Sequence, residues 1–268
     1  MAQEVHIRPA RPDEATGIVD VVRCSIDPEL LDFTIYGCDG IGRYVLDHIL
    51  ARGSGSDTTY TVACEGMHVI GCAEMRLDRD GLFLRYISVR PELRSRGLGG
   101  LLLLRAIEES GRGREGCIAL DVFEHNDGAR RWYDRLGFVC EGTAEWWEAP
   151  LNGAGPRREA IIGGYPQAMA CHRRFGFGRF RVVTERGEYD VGLLGRGWFR
   201  LTSPEVLLDA PALGALRAVD DARRLLVIAP GEAAANHMPS GSRLVAVSHR
   251  LHSNINELAR LLTRQVGI

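Results

Sequence analysis

The chain contains no lysine: all 33 of its basic side chains are arginine. A Walker phosphate loop, G-x-x-x-x-G-K-[ST], is therefore excluded. Cysteine is sparse and scattered, at positions 24, 38, 64, 72, 117, 140 and 171. An odd number with no C-x-x-C spacing argues against a disulfide scaffold or a zinc site, and for reduced, buried thiols. No uninterrupted apolar run approaches the roughly 20 residues of a membrane span. Residues 1–11 carry neither an apolar signal core nor an arginine- and serine-rich transit pattern, so a cytoplasmic location is expected. Aromatics are not interleaved with the arginines in any recognised module, so nucleic acid is not expected as a partner. The remaining composition, 45% hydrophobic and 25% charged over 268 residues, is that of a globular chain long enough for two modest domains.

Charge is unevenly divided. Up to residue 150 there are 17 arginines against 25 acidic residues, and beyond it 16 against 10. The switch falls at Pro150–Pro156, a proline- and glycine-rich segment that reads as a linker. Domains are accordingly expected at 1–150 and 151–268. The basic second part either attracts an acidic partner or complements the acidic first part.

The most informative stretch runs from Leu82 to Leu104. Leu82–Val89 reads as an apolar strand, Arg90 to Gly97 as a short loop, and Leu98 onward as a helix. Such a loop aims consecutive backbone N–H groups at one spot, at the positive end of a helix dipole. Gly97 and Gly99 let a ligand approach the backbone without meeting a Cβ. Arg94 and Arg96 add positive charge able to bind bidentately. The site suits a pyrophosphate, yet a dinucleotide fingerprint fails because Leu stands at 102 where glycine is required.

Downstream, Asn126-x-x-Ala129-x-x-x-Tyr133-x-x-x-Gly137-Phe138 reads as a helix with Asn near its N-cap and Gly at its exit into a strand. Ala129 and Tyr133 are i and i+4 and share a face. An isolated tyrosine there would simply pack the helix. In order with Arg94-x-x-Gly97-x-Gly99, however, it completes a pattern that resembles the GNAT acyltransferase superfamily over about residues 4–150.

The resemblance implies a mixed α/β fold, with acetyl-CoA or another acyl thioester as co-substrate and no metal. It assigns cofactor binding to Ile87, Ser88, Val89, Arg94, Ser95, Arg96, Gly97, Leu98, Gly99, Gly100, Asn126, Ala129 and Tyr133. It further makes Tyr133 the general acid that protonates the departing thiolate, with a backbone amide near Val89 for the oxyanion. The strand Leu82 to Arg90 lacks the glutamate that some relatives use as a base. Glu74, Glu124 and His125 are the candidates, each equally readable as a surface or capping residue, and an amine of low pKa needs none. Acceptor choice is expected in the segment 25–39, whose Asp27, Glu29, Asp32 and Asp39 suit a cationic amine or serve as solvated loop charges and caps.

Periodicity supplies the remaining elements. Strands are expected at 4–8, 58–65, 68–77, 116–122 and 138–147, and helices from Pro12 and over 39–50, giving the order β-α-α-β-β-β-α-β-α-β that the family uses. Beyond 150, strands are expected at 179–184, 189–194, 224–229 and 243–248, and helices at 204–208, 212–219 and 256–266. These form a smaller α/β module with no recognised resemblance. Ala168, His172, Gly176 and Phe177 echo the spacing of Ala129, Tyr133, Gly137 and Phe138. They mark either a decayed second acyltransferase half or a common helix–glycine–strand exit, and the missing Arg-x-x-Gly-x-Gly loop favours the exit. The G-x-G-x-x-G at 111–116 follows a helix instead of a strand and is read as a loop. His249 and His252 lack nearby ligands in sequence, and Trp146 and Trp147 sit one per face of a strand.

The function expected is transfer of an acetyl or other acyl group to a small-molecule amine. One alternative is an acyltransferase of secondary metabolism whose substrate rides on an acidic carrier protein docked by the basic part. The other is a non-catalytic sensor of coenzyme A thioesters. A homodimer is a further candidate partner state.

Overall fold

The computed structural model describes residues 4–78, 81–111, 116–152, 159–231 and 238–266. The proposed linker segment 153–156 and residues 112–115 of the glycine-rich loop lie outside them. The protein is a mixed α/β chain that divides into two compact units, and the division interleaves in sequence. The first unit takes residues 1–27, 42–141 and 249–268, and the second takes 28–41 and 142–248. A single boundary near residue 150 therefore does not describe it.

In the first unit, β1 (Val5–Pro9), α1 (Ala15–Arg23), α2 (Ile41–Leu50), β2 (Thr58–Glu65), β3 (His68–Leu77), β4 (Gly81–Val89), α3 (Leu98–Glu109), β5 (Cys117–Phe123) and α4 (Asp127–Arg135) follow the expected order. β1 to β4 pair antiparallel in succession, and β4 pairs parallel with β5. Parallel pairing needs a crossover, and α3 supplies it. Leu102, Leu103 and Ile107 of α3 are buried against Leu84, Ile118 and Leu120 of the sheet.

The second unit starts from the body of β6 (Val139–Ala149) and adds β7 (Ile161–Gly163), α5 (Tyr165–Phe175), β8 (Phe177–Val183), β9 (Glu188–Leu194), β10 (Trp198–Leu201), α6 (Ala210–Val219) and β11 (Arg224–Pro230). β7 to β10 again pair antiparallel in succession, and β10 again pairs parallel with β11. The pairing scheme of the first unit is thus repeated in the second. Each sheet is closed by a strand from the other half of the sequence. β11 pairs antiparallel with β6, while the last residues of β12 (Arg243–Asn254) lie beside β5. The final helix, α7 (Ile255–Val266), buries Ile255, Leu258 and Leu262 in the core of the first unit. Residues 28–41 fold as two 3-10 turns of the second unit. There Phe33 packs 5.0 Å from Trp198, and the Cys38 thiol donates to the Gly176 carbonyl at 3.2 Å.

The sequence echo does not mark this repeat. Ala129 to Phe138 lies on α4 entering β6, and Ala168 to Phe177 on α5 entering β8, elements that do not correspond. What they share is a helix leaving through a left-handed glycine, Gly137 at φ +75° and Gly176 at φ +85°. β7, α5 and β10 were not foreseen. α5 buries only Ala168 and so shows no apolar stripe, while β7 and β10 have three and four residues.

At the start of α6, Asp209 is fully buried and accepts from the Ala212 N–H at 3.1 Å, the Thr184 hydroxyl at 2.5 Å and the Tyr189 hydroxyl at 3.0 Å. Burial opposes its charge, but these donors outweigh it and hold the carboxyl below its ordinary pKa, while burial and Asp209 push Tyr189 up to about 12. Asp209→Ala strands the buried Tyr189 hydroxyl, the half-buried Thr184 hydroxyl and a helix amide, and should cost about 3 kcal/mol in equilibrium denaturation at pH 7. Because the folded pKa is depressed, this contribution is present above the unfolded carboxylate value near 3.9. It is lost as pH falls through the folded value, so the variant and the parent should converge in strong acid.

Candidate functional site

The first unit contains a cavity of about 770 Å³ where β4 and β5 part. The two strands pair only from Gly81/Cys117 to Leu84/Leu120. Beyond that point Arg85–Val89 and Asp121–Phe123 separate and line the cavity. A bulge assists the divergence: Tyr86 pairs with Glu74 and Leu84 with Met75, leaving Arg85 as the extra residue of β4.

The N-terminus of α3 opens into this cavity. Ser95 and Gly97 are both left-handed, with φ +62° and +81°, so the chain turns sharply into the helix at a position glycine occupies without strain. α3 has no side-chain cap and no acidic residue in its first turn. Intrahelical bonding starts with the Leu101 N–H on the Gly97 carbonyl at 3.2 Å, which leaves the amides of Leu98, Gly99 and Gly100 without helical acceptors. All three residues, with Ser95 and Gly97, line the cavity. The donor set fits a pyrophosphate: backbone amides at the positive end of a helix.

The two loop arginines differ. Arg94 lines the cavity, but its guanidinium is fixed by the Val89 carbonyl at 3.0 Å and the Ser25 hydroxyl at 3.2 Å. Arg96 is not among the lining residues. Positive charge also enters from Arg135 in the last turn of α4, which the sequence reading passed over.

α4 forms the facing wall. Asn126 caps it by accepting from the Ala129 N–H at 3.2 Å. Ala129 and Tyr133 line the cavity one turn apart, together with Trp132. The Tyr133 ring is buried between Trp132, 5.0 Å away, and Phe138, 5.3 Å away. Burial raises the phenol pKa further above its usual value, so Tyr133 carries its proton throughout the physiological range. Ile87, Ser88 and Val89 complete the β4 side, and Gln265 of α7 adds a wall residue that no local signal in the sequence connects to the site.

The three candidate bases part company. Glu74 is fully buried, lies 3.2 Å from Arg85 Nη1 and is not among the lining residues. Arg85 also donates to the Tyr44 hydroxyl at 3.1 Å. Burial works against the guanidinium charge, but Glu74 and Tyr44 raise its pKa well above the usual value. Glu124 is likewise absent from the cavity wall, with its carboxylate 3.7 Å from His249. His125 does line the cavity, stacked on Phe123 at 5.6 Å with its Nε2 3.8 Å from Asp27. Of the expected acceptor segment, Ser25, Ile26 and Asp27 reach the cavity, whereas Glu29, Asp32 and Asp39 belong to the second unit. Asp121 lines the cavity with its carboxylate held by Arg250 at 2.5 and 2.9 Å. Trp146 and Trp147 are not among the lining residues; their indoles donate to Ser248 and Glu145. Among the described residues no group of His, Cys, Asp and Glu could hold a metal ion, and no helix is long and apolar enough to cross a membrane.

Residues 33–138 match the acetyltransferase (GNAT) family. No curated protein matches the chain. A putative acetyltransferase from Pyrococcus horikoshii superposes with a TM-score of 0.62 at 18% identity, over 94% of this chain and 90% of the other. A tandem GNAT protein from the clavulanic acid biosynthesis pathway gives 0.62 at 14% identity, over 94% and 99%. An N-acetyltransferase from Sphaerobacter thermophilus gives 0.58 at 12% identity, over 94% and 96%. At these identities the likeness is one of fold, and it extends over both units.

Proposed function

We propose that this chain, whose residues 33–138 match the acetyltransferase (GNAT) family, moves an acyl group from coenzyme A to the amine of a small molecule. The observation that carries the reading is the uncapped N-terminus of α3 opening into the same cavity as the buried phenol of Tyr133. The amides of Leu98, Gly99 and Gly100, with the turn at Ser95, would hold the pyrophosphate. The exposed edge of β4 at Ile87–Val89 would hold the pantetheine arm and offer an amide to the developing oxyanion. The co-substrate supplies the activated thioester carbonyl. Tyr133 keeps its proton until the sulfur departs and then yields it. Glu74 is engaged by Arg85 and Glu124 faces His249, so the amine enters neutral or passes its proton to water or to His125, the candidate base that lines the cavity.

A cationic acceptor would meet Asp27 at the wall, whereas Asp121 is already neutralised by Arg250. The alternative, a substrate borne by an acidic carrier protein, rests on the charge of the residues beyond 150. One arginine it would use, Arg181, is engaged by Glu188 at 2.6 Å and Asp190 at 3.8 Å. The sensor alternative shares the cofactor site and differs in lacking turnover.

Calorimetric titration with acetyl-CoA and with free coenzyme A tests the reading. Because the corresponding helix of the second unit is capped by Asp209 and has Pro211 in its first turn, the expected stoichiometry is one coenzyme A per chain. Two sites of similar affinity would mean that the second unit retains a pyrophosphate cradle. No binding by the folded protein would remove free acyl-CoA as donor.

A further inference from the structure

His249, which had no metal or catalytic companion nearby in sequence, acquires two in the structure. Its Nδ1 lies 3.9 Å from the Cys140 sulfur, within hydrogen-bonding range for a thiol, and its Nε2 lies 3.7 Å from a Glu124 carboxylate oxygen. Cys140 is the second residue of β6, His249 sits on β12, and Glu124 follows β5, so three separated segments converge. The imidazole is largely buried, at 15% side-chain exposure, while Cys140 and Glu124 are open to solvent.

The order of groups has a chemical consequence. A neutral imidazole has one donor and one acceptor nitrogen. The carboxylate beside Nε2 favours the Nε2–H tautomer, which leaves Nδ1 to accept the thiol proton. The arrangement sets a nucleophile beside a base and the base beside a carboxylate, the general plan for activating a weak nucleophile. Arg250, held by Asp121, and Glu141, next to Cys140 in sequence, are further charged groups on these strands. Nothing in the proposed acyl transfer uses this cluster, since Cys140, His249 and Glu124 are not among the residues lining the cavity.

We propose that Cys140 is a modification site, a thiol activated by His249 and Glu124 that takes up a small disulfide by exchange. The proton passes from the sulfur to His249 Nδ1. The thiolate then attacks one sulfur of the incoming disulfide, a new S–S bond forms as the old one breaks, and the departing thiolate recovers the proton from the imidazolium. The disulfide is the oxidant, and one thiol equivalent is released per chain. Glu124 stands between Phe123 and His125, both in the cavity wall, so the adduct would adjoin the segment that leads into α4.

The test uses the full chain and glutathione disulfide at pH 7, with acid quench, alkylation of unreacted thiols and site assignment by peptide mass spectrometry. Exposed Cys24, Cys117 and Cys171 serve as references within the same molecule. Transfer of the thiol proton to the adjacent imidazole during attack should give Cys140 roughly a tenfold rate advantage over these references. His249→Gln should bring Cys140 to the rate of the references, and Glu124→Gln, a change at an exposed side chain, should remove several-fold of the advantage with the circular dichroism spectrum unchanged. A Cys140 no faster than the reference cysteines in the parent protein overturns the proposal. So does an advantage that survives both substitutions. Should His249→Gln disturb folding, the Glu124→Gln rate decides the matter alone.

Discussion

Tyr133→Phe should lower kcat by about 10²- to 10⁴-fold while leaving coenzyme A affinity within about a factor of three, the range expected when a positioned general acid is removed. The phenol ring is what packs against Trp132 and Phe138, and phenylalanine retains it. Stability should therefore change by less than about 1 kcal/mol, the mark of a volume-conserving replacement. Rate and fold are thus separated in one variant. The reason for expecting so large an effect is the burial of the group, which keeps the phenol protonated and ready to donate. Single-turnover measurement from acetyl-CoA, with calorimetry alongside, checks both halves of the expectation. Unchanged turnover would show that the thiolate leaves without Tyr133, and the acid would have to be sought elsewhere on the wall. Unmeasurable turnover in the parent, with coenzyme A tightly bound, would favour the sensor reading.

The second large effect is expected from Gly99→Glu. Gly99 is the second residue of α3, its added Cβ would meet only Trp132, at 3.6 Å, and its φ is not in the left-handed range. The backbone accepts the change. A carboxylate in the first turn interacts favourably with the helix dipole, so the folded protein should be as stable as the parent or slightly more so. The same carboxylate stands among the amides that would hold the pyrophosphate. At about 4 Å and an effective dielectric constant near 20, like-charge repulsion is about 4 kcal/mol, and an affinity loss of 10²- to 10³-fold is a conservative expectation. A variant that melts no lower than the parent but no longer binds coenzyme A would locate the anion site at this helix end. Undiminished binding would exclude it.

Much of this site was legible in the chain itself because its elements are local. The loop from Arg94 to Gly100 and the helix from Asn126 to Tyr133 are short runs in which spacing dictates geometry, and they border one cavity. Trp132 lies in the same run, three residues from Ala129, and its place on the wall follows from helical periodicity. Gln265 and Arg250 do not announce themselves, because they reach the first unit through β12 and α7, more than a hundred residues downstream. The bases misled for a related reason. Glu74 looks available on a strand next to the cofactor strand, and only the pairing around the bulge at Arg85 shows that its partner is a guanidinium. The repeat was hidden as well: β7 and β10 are too short, and α5 too polar on its surface, to register as periodic segments. Pairing, which has no linear signature, is what reveals it.

The exchange of closing strands bears on how the protein is made. A ribosome that has delivered the first 150 residues has supplied α3, α4 and both glycine turns, yet β5 still has an open edge and α3 still lacks the helix that covers it. The cavity wall is unfinished until synthesis has passed Gln265. A prematurely terminated chain would hence expose an unpaired strand and the apolar flank of α3, making it prey for chaperones and proteases before it could act on any amine.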